Sequence, residues 1–467
     1  MVTKRITGDN VGIAVLNAFL QIEGTDEVLK NIQMSKVNRI VLTTFVEELG
    51  SPGEGIRFPS MATGFKRKIR GQDAIYVRKI YSSFEPTHDF YTNTFIKPVP
   101  KKPGEDIVKE AIKKAKDLGF KVEIIDAPTA VPGPASTGKY GYPYPEPGYD
   151  ECKCVRVDGQ VIDGIESKGC VNNPDVRRYA LARIRDILTH YDEIDTLTLD
   201  HIEFPTYNIR DNFSCFCEHC ARKAKEYGYN FDEIKRSVYD VYQKVKSIKP
   251  QTLVELMEYK SALDILDLLI NEKSLIDWLE FRCNSVVDFM KEVKALIKDQ
   301  GFDVEIAITG FTPTMGYIAS RNYRKLADQC DIVLPKFYNE HWSLVVKWCA
   351  EELMSYCKEL KEEDCLNFIY SILGFRHLNP PLKLKDIDPL QGGVIPPDAL
   401  KAEAIKIKRM VQEKCEIHPF IHCWCTSNDL KRKLEIVRDY KMDGIRLWNY
   451  GLLTDDELAI ISDTLGL

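Results

Sequence analysis

Three cysteines lie on one short predicted turn, and a fourth lies upstream of it. The turn reads Cys215-Phe-Cys217-Glu-His-Cys220, and the upstream residue is Cys170. Four thiolates complete the tetrahedral coordination of a structural zinc ion, and the C-x-C-x-x-C spacing suits three ligands on one tight turn. We therefore predict a structural Zn2+ ion bound by these four cysteines. The alternative interpretation is four ordinary buried or free thiols.

Two carboxylates come just before this turn, at the end of a predicted strand with the sequence Asp200-His-Ile-Glu203. Carboxylates at the carboxyl end of a barrel strand are typical of catalytic groups, and a metal-braced loop would hold them rigidly. On a regular strand Asp200 and Glu203 point to opposite sides, whereas an irregular strand end would bring them together. The alternative for either one is a structural ion pair with arginines of neighbouring helices.

A second group of polar and aromatic side chains follows another predicted strand, with the sequence Lys336-Phe-Tyr338-Asn339-Glu340-His341-Trp342. Such a group is costly to bury in a closed core and is natural in a sugar-binding mouth. We predict a glycoside hydrolase whose carboxylate pair is drawn from Asp200, Glu203 and Glu340, with Glu340 favoured as the partner of Glu203 and Asp200 as the second choice for nucleophile. One acid would protonate the glycosidic oxygen while the other attacks the anomeric carbon or activates water.

The predicted substrate is an oligosaccharide or glycoside, because aromatic residues recur at strand ends. Aromatic rings commonly pack against the apolar faces of a pyranose. The predicted substrate-binding residues are Lys336, Tyr338, Asn339, Trp342, Trp424, Trp448 and Asn449. For each tryptophan taken singly, core packing is the alternative.

Apolar, β-branched runs alternate with amphipathic helical patterns along the whole chain. The predicted strands are Val11–Phe19, Arg39–Val46, Lys121–Ala127, Asp195–Glu203, Val304–Phe311, Asp331–Tyr338, His418–Trp424 and Gly444–Tyr450. Several of these runs are continuous rather than alternating, which is typical of parallel strands covered on both faces. Eight strand–helix units predict an α/β protein with one (β/α)8 TIM barrel over residues 1–467. The first run is equally compatible with a short helix.

Long insertions are predicted after several strands, where a barrel carries its chemistry. They lie near residues 47–103, 132–174, 205–282 and 379–397. The second insertion contains Tyr140, Tyr142, Tyr144 and Tyr149 among glycines and prolines, which would either stack on sugar rings or form a rigid cover.

Composition limits the partners of this chain of 467 residues. A formal net charge of −6 with both signs interspersed argues against a nucleic-acid or anionic-membrane surface. No apolar run approaches the roughly 18 residues that span a bilayer. No signal-peptide core precedes Asp9, so the fourteen cysteines are better explained as cytoplasmic thiols and metal ligands than as disulfides. Homo-oligomerisation is left open.

The run from about Phe120 to Phe311 resembles the family 42 β-galactosidases among the glycoside hydrolases. The similar segments are Ala127-Pro-Thr-Ala130, Cys170, Asp175–Tyr191, Asp200–Phe204 and Cys215–Cys220. The resemblance implies zinc ligation by the four cysteines and an acid/base role for Glu203. The helix segment Asp277–Arg282 is also similar, and Arg282 completes the predicted substrate-binding set.

The chain also departs from the family 42 pattern. Ile202 stands where that family has an asparagine before its acid/base, and His418–Cys425 lacks the carboxylate of the family nucleophile. The segments Leu199–Pro205 and Asp443–Tyr450 look more like a broad group of uncharacterised glycosidase-like barrels. We therefore predict a relative within that superfamily and carry over no substrate.

Three other interpretations remain open from the sequence. A carbohydrate-binding barrel without hydrolysis would explain the missing seventh-strand carboxylate. A metal-dependent hydrolase or lyase would use His201, His219, His341 or His422, although none shows H-x-H or H-E-x-x-H spacing. A nucleophilic Cys423 or Cys425 lacks a recognisable partner. Retention and inversion are also undecided, because they depend on the separation of the two carboxyl groups.

Overall fold

A computed structural model of the chain describes residues 6–59, 64–68, 71–129, 150–162, 168–258, 270–387 and 395–467. The predicted tyrosine loop, with Tyr140, Tyr142, Tyr144 and Tyr149, lies outside the described residues, as does Ala130.

Among the described residues, the main sheet has nine parallel strands in the order β10-β9-β8-β7-β6-β2-β1-β12-β11. The strands are β1 (Val11–Val15), β2 (Arg39–Thr43), β6 (Lys121–Asp126), β7 (Thr196–Leu199), β8 (Glu305–Gly310), β9 (Ile332–Pro335), β10 (Glu416–Ile417), β11 (Phe420–His422) and β12 (Ile445–Trp448). A smaller antiparallel sheet is inserted after β2 and consists of β3 (Phe45–Gly50), β4 (Ile56–Phe58) and β5 (Ile75–Ser82). The architecture is therefore α/β and mostly parallel.

The main sheet curls, because its two end strands are neighbours in the chain. Strands β10 and β11 flank Pro419, which has no amide hydrogen to donate to a ladder. Strand β10 pairs with β9, whereas β11 pairs with β12. The Phe337 amide, just after β9, also donates to the Phe420 carbonyl over 2.8 Å. One interrupted strand thus bonds to both sides of the sheet.

Helices alternate with the strands of the main sheet. They are α1 (Asn17–Glu23), α2 (Thr25–Met34), α3 (Ile107–Asp117), α4 (Pro174–His190), α5 (Ile209–Asn212), α6 (Glu218–Glu226), α7 (Phe231–Lys246), α8 (Pro250–Met257), α9 (Lys273–Gln300), α10 (Tyr323–Leu326), α11 (Asn339–Tyr356), α12 (Glu362–Ile372), α13 (Leu400–Val411), α14 (Ser427–Asp439) and α15 (Asp455–Leu465). Local signals fix several ends: Asn173 caps α4 through the Asp175 amide at 2.8 Å, and Gly119 follows α3 with φ at 80°. No helix in the described ranges is both long and apolar enough to cross a bilayer.

Each predicted strand region contains a strand of the main sheet, but the strands are shorter than predicted. The first region ends in α1, so the strand and helix interpretations are each right for part of it. Strand β7 stops at Leu199, before the predicted end at Glu203.

The inside of the curled sheet holds a buried ion cluster at the amino ends of the strands. Arg446 donates from Nε to Glu123 Oε2 over 2.6 Å, and the Arg39 guanidinium lies 3.5 Å from the same oxygen. Burial opposes the charge of Glu123, but Arg446 and Arg39 outweigh it and hold the pKa of this carboxyl below its usual value. Ile125 lies on the same face two residues further along β6. The inside of the sheet thus becomes apolar towards the carboxyl ends of the strands.

Replacing Arg446 by Met should lower the free energy of unfolding by about 3–5 kcal/mol, because Glu123 would lose its closest cation while buried. Urea denaturation at pH 7 measures this change. Arg438→Met is the matched control, since the Arg438 side chain is 48% exposed and pairs with the exposed Asp439. Its cost should stay below about 1 kcal/mol. Equal losses in the two variants would contradict the importance of the internal cluster.

Candidate functional site

A cleft of about 270 Å³ opens where the carboxyl ends of the parallel strands meet. Its polar lining consists of Asp200, His201, Lys336, His341, His422 and Asn449. Its aromatic and apolar lining consists of Phe58, Pro59, Phe65, Tyr207, Tyr338, Phe420, Trp424, Trp448 and Leu452. A larger hollow of about 430 Å³ lies on the outer helices around Tyr229 and Lys325, away from the strand ends. Convergent polar and aromatic groups at strand ends make the smaller cleft the candidate active site.

The irregular end of β7 determines which carboxylate reaches this cleft. His201 adopts a left-handed backbone conformation with φ at 54°, and the Glu203 amide donates to the His201 carbonyl over 2.9 Å. Histidine is among the residues that tolerate this conformation better than most. Strand β7 ends at Leu199, so the alternating side-chain directions of a strand do not apply to either carboxylate. The turn instead leaves Asp200 in the cleft and places Glu203 behind it.

Asp200 is held as an anion by groups from three strand ends. Its Oδ1 atom accepts from Lys336 Nζ at 2.8 Å, from the His201 amide at 2.9 Å and from the Thr309 hydroxyl. Burial opposes the negative charge, but His201 and Lys336 outweigh it and hold the pKa of Asp200 well below its usual range. The second oxygen, Oδ2, lies 3.4 Å from His201 Nε2.

Glu203 is fully buried between two cations and is not among the residues that line the cleft. Lys168 Nζ donates to its Oε1 atom over 2.8 Å, and the Arg321 guanidinium lies 3.3 Å from Oε2. Burial opposes ionisation, but Lys168, His201 and Arg321 hold the pKa of Glu203 well below its usual value. Glu203 is therefore ionised and inaccessible from the cleft.

His201 lies between the two carboxylates. Its Nδ1 atom is 3.3 Å from Glu203 Oε1, and its Nε2 atom is 3.4 Å from Asp200 Oδ2. The ring is 22% exposed, whereas the Glu203 side chain is 0% exposed. A substrate in the cleft can therefore reach the imidazole and cannot reach the Glu203 carboxylate.

Glu340 lies in the first turn of α11 and, unlike its neighbour His341, is not among the residues that line the cleft. Its Oε1 atom accepts a hydrogen bond from Lys433 Nζ, which also donates to the His422 carbonyl over 3.2 Å. Burial works against a charged Lys433, but Glu340 raises the pKa of this lysine above its ordinary value. Glu340 and Lys433 thus form a buried ion pair beneath the strand that carries His422.

The structure separates the predicted substrate-binding residues into two groups. Lys336, Tyr338, Trp424, Trp448 and Asn449 line the cleft.

The other three are buried elsewhere. Asn339 donates to the Ile395 carbonyl over 2.8 Å, and Trp342 packs against Phe375 with ring centroids 4.6 Å apart. Arg282 is buried in α9 and donates to the Pro205 carbonyl over 3.2 Å. These three side chains therefore support the walls rather than the surface of the cleft.

Two buried polar atoms of the cleft have no hydrogen-bond partner among the described residues. They are Nε1 of Trp424 and Oδ1 of Asn449, a donor and an acceptor. Buried polar atoms normally find partners, so unpaired ones in a cleft indicate positions that a ligand or water can satisfy. One donor and one acceptor beside indole rings match the chemistry of a sugar hydroxyl.

The remaining ring groups of the cleft are held in their neutral forms. Burial, together with Lys336 and His201, lowers the pKa of His341 to about 3. Burial also places the pKa of His422 well below its ordinary value, and the His422 Nδ1 atom accepts from the Trp424 amide at 3.1 Å. The proton of neutral His422 is therefore on Nε2. Burial and the nearby Asp200 raise the pKa of Tyr338, which remains a phenol.

Cys170, Cys215, Cys217 and Cys220 converge beside α6. Their sulfur atoms all lie within 4.8 Å of one another, which is a set that can hold a metal ion. The Cys170 sulfur is 3.5 Å from that of Cys220 and 3.6 Å from that of Cys217. Tetrahedral zinc–thiolate bonds of about 2.3 Å require sulfur separations of about 3.8 Å, so the set fits zinc.

The other predicted chemistries receive less support from the geometry. Among the described residues, the cysteine set is the only group of three or more metal-binding side chains with ligand atoms this close. The cleft histidines therefore form no preformed metal site, and His219 lies on α6 beside Arg222. Burial raises the pKa of Cys423 and brings that of Cys425 to about 11, which keeps both as thiols.

Lys168 and Arg321 are important groups that the sequence did not indicate. Both come from segments distant in sequence from Glu203, and each lies on a loop with no recognisable motif. Cys154 was also missed: this buried thiol lies against Cys170 and Cys215, next to the four predicted ligands. Its position after Cys152 in a C-x-C pair was the available signal.

No protein-family model matches the sequence, and no curated protein matches it. The fold is similar to the catalytic domain of a β-amylase from Paenibacillus polymyxa, with a TM-score of 0.52, 10% identity, and coverage of 98% of this chain and 99% of that one. It is also similar to β-galactosidases from Halorubrum lacusprofundi and Marinomonas ef1, with TM-scores of 0.51 and 0.50 and 9% identity to each.

In both of these comparisons 98% of this chain is covered, but only 57% and 60% of the respective galactosidases. Identities this low show the fold alone. The likeness is to glycosidases in general and does not single out family 42.

Replacing Glu203 by Gln should flatten the acid dependence of stability. The stabilisation of a carboxylate with a lowered pKa is complete above the unfolded-state pKa, about 4.3 for Glu. It declines as the pH falls from there through the lower folded-state pKa, because the unfolded state binds more protons. Unfolding free energies measured from pH 7 to pH 3 should therefore fall less steeply in Glu203→Gln than in the wild type. An unchanged slope would mean that Glu203 is not held as an anion.

Proposed function

We propose that the chain is a glycoside hydrolase whose reaction takes place in the cleft, with Asp200 as the carboxylate that acts on the substrate. The observation that carries this proposal is the position of Asp200. Among the described cleft residues it is the one carboxylate, and it shares the cleft with Trp424 and Trp448. A glycosidase-like fold agrees with this chemistry at the level of architecture.

The proposal includes a complete (β/α)8 barrel over the whole chain. The support is the interrupted strand from Glu416 to His422, which bonds to β9 on one side and to β12 on the other. In such a barrel the carboxyl ends of the strands form one mouth, where catalytic groups collect.

Asp200 would act on the developing positive charge of the sugar ring. Its Oδ1 atom is already occupied by Lys336, Thr309 and a backbone amide, so Oδ2 is the oxygen that can approach the anomeric carbon. Because its pKa lies well below the usual range, Asp200 is an anion at neutral pH. It can therefore stabilise an oxocarbenium-like transition state, or attack the anomeric carbon as the bond to the protonated glycosidic oxygen breaks.

His201 would transfer the proton in this proposal, in place of a direct acid/base role for Glu203. A general acid must carry a proton at the working pH, and the caged Glu203 carboxylate does not. Its Oε1 atom, 3.3 Å from His201 Nδ1, can instead orient the ring and balance a charge on it. Nε2, beside Asp200, would then exchange the proton with the glycosidic oxygen or with water.

The preferred substrate would be an uncharged, hydroxyl-rich glycoside. Neutral His341 and His422 and the Tyr338 phenol supply uncharged hydrogen-bond groups, while the indole rings offer flat apolar surfaces. The unpaired Trp424 Nε1 and Asn449 Oδ1 atoms would bind hydroxyl groups.

A second candidate is a carbohydrate-binding barrel without hydrolysis. Asp200 is the one carboxylate among the described cleft residues, and Glu203 and Glu340 are both engaged by buried cations, which favours this alternative. Binding of a glycoside without any turnover, measured by calorimetry and by release of an aryl group, would identify it.

We also propose that the four cysteines bind a structural Zn2+ ion. The support is a complete set of four sulfur ligands that all lie within 4.8 Å of one another. Such an ion would fix the loops that carry Cys170 and Cys215 and would leave no coordination position for a substrate.

Asp200→Asn should lower turnover of a cleaved aryl glycoside by about a hundredfold or more, because it removes the negative charge at the sugar. Asp439→Asn is the control, since the Asp439 side chain is 51% exposed and lies outside the cleft lining, and it should retain turnover close to that of the wild type. Melting temperatures show whether each variant is folded. Near-wild-type turnover in a folded Asp200→Asn variant would remove Asp200 from the mechanism.

Purified protein should contain one zinc ion per chain, measured by elemental analysis. Cys217→Ser should lose the ion and unfold at lower urea concentration, since structural zinc contributes directly to folding. Cys357→Ser is the control, because Cys357 lies outside the cluster, and it should keep the ion. Protein that carries no zinc without exposure to chelators would refute the proposal.

A further inference from the structure

The loop that carries Cys170 also delivers a buried cation to the candidate active site. Lys168 Nζ lies 2.8 Å from Glu203 Oε1, with 1% of the lysine side chain and 0% of the glutamate side chain exposed. A buried ion pair of this kind depends strongly on geometry, because neither charge can be stabilised by water instead.

The backbone between Lys168 and Cys170 is pinned on both sides. The Lys168 carbonyl accepts from the Cys154 amide at 2.9 Å, and the Cys170 amide donates to the Cys152 carbonyl over 2.8 Å. Gly169 donates to the Thr129 carbonyl over 3.0 Å, and a β-carbon on Gly169 would lie 2.9 Å from that oxygen. A movement of Cys170 would therefore be transmitted to Lys168.

The contacts continue from Lys168 to His201. Lys168 and His201 share one oxygen of Glu203, since the His201 Nδ1 atom lies 3.3 Å from the same Oε1 atom. Thr129, which anchors Gly169, also donates its hydroxyl hydrogen to the His201 carbonyl over 3.2 Å. The metal-binding loop and the turn that presents His201 thus have two points of contact.

We propose that Lys168 is a positioning residue that links the four-cysteine cluster to His201 by holding Glu203 Oε1. The proposal rests on the proposed metal site and on the proposed role of the cleft. With a metal bound, Cys170 is fixed, Lys168 is held against Glu203, and Glu203 orients the His201 ring. Without the metal, the loop can relax, and the ring loses its fixed partner.

The test is nuclear magnetic resonance of protein labelled with 15N in its histidine rings, because this readout needs no substrate. The His201 signal is assigned by its absence from His201→Asn. Spectra are recorded on zinc-loaded protein and after removal of the metal with EDTA, for the wild type, Lys168→Met, Lys168→Arg and Lys223→Met. Lys223 is the matched control, since it follows Cys220 on α6 but pairs with Asp288 at 2.9 Å, away from the cleft.

In the wild type and in Lys223→Met, metal removal should shift the His201 signal. Zinc-loaded Lys168→Met should already show a displaced signal that no longer responds to EDTA, and Lys168→Arg should restore the response at least in part. If the proposed enzymatic function is also correct, Lys168→Met should lower kcat about tenfold or more while KM changes little.

An unshifted His201 signal in the zinc-free wild type would overturn the proposal, as would an equal response in Lys168→Met. If circular dichroism shows that EDTA unfolds the protein, the His201 signals of the zinc-loaded proteins are compared with one another instead. A His201 signal in zinc-loaded Lys168→Met that matches the wild type would then overturn it. Protein that binds no metal would overturn it as well. Absence of glycosidase activity would bear on the proposed function alone.

Discussion

The burial of the Glu203 carboxylate is the constraint on which the site depends. An unpaired buried carboxylate costs several kcal/mol, so two cations must be brought to it. Lys168 comes from the loop before α4, and Arg321 comes from the segment between β8 and α10. Arg321 also donates to the Thr309 carbonyl over 3.1 Å. One buried charge therefore fixes the end of β7 relative to two separate loops, and Asp200 inherits its position at the cleft from that arrangement.

Because of this arrangement, the neighbouring carboxylates Asp200 and Glu203 differ in whether they can contact a ligand. Both are ionised, but the Asp200 side chain is 17% exposed and retains one oxygen that can contact a ligand, whereas Glu203 is closed. His201 contacts both carboxylates, so its ring connects the buried Glu203 to Asp200 in the cleft. Low-dielectric surroundings strengthen such fixed charge–dipole interactions, and they cost no reorganisation when charge develops on a substrate. Among the described residues, the cleft is thus organised around the Asp200 anion and its partner cation Lys336, beside the neutral rings of His341, His422 and Tyr338.

The sequence predicted the strands well because continuous apolar runs report burial on both faces, and it located the four cysteines because metal ligands have characteristic spacing. It could not predict the early end of β7, since His201 adopts the left-handed conformation at a position where no glycine marks a turn. Asn339, Glu340 and Trp342 were placed in the mouth by proximity to a strand end, yet they begin α11, whose 3.6-residue period turns them inward. The contacts of Lys168 and Arg321 with Glu203 join residues far apart in sequence, for which no local pattern exists.

Glu340 shows why acidic residues near strand ends cannot be assigned to catalysis by type alone. Its pairing with Lys433 is buried, and replacing such pairs by apolar residues is often neutral or stabilising, so stability does not explain it well. The pair does hold three elements in position relative to one another. Lys433 on α14 binds Glu340 on α11 and also donates to the His422 carbonyl on β11. An acid that supports the cleft wall and an acid that lines the cleft can thus have similar positions relative to a strand end. They differ in whether a carboxylate oxygen remains open to the cleft, and this depends on cations supplied by distant segments.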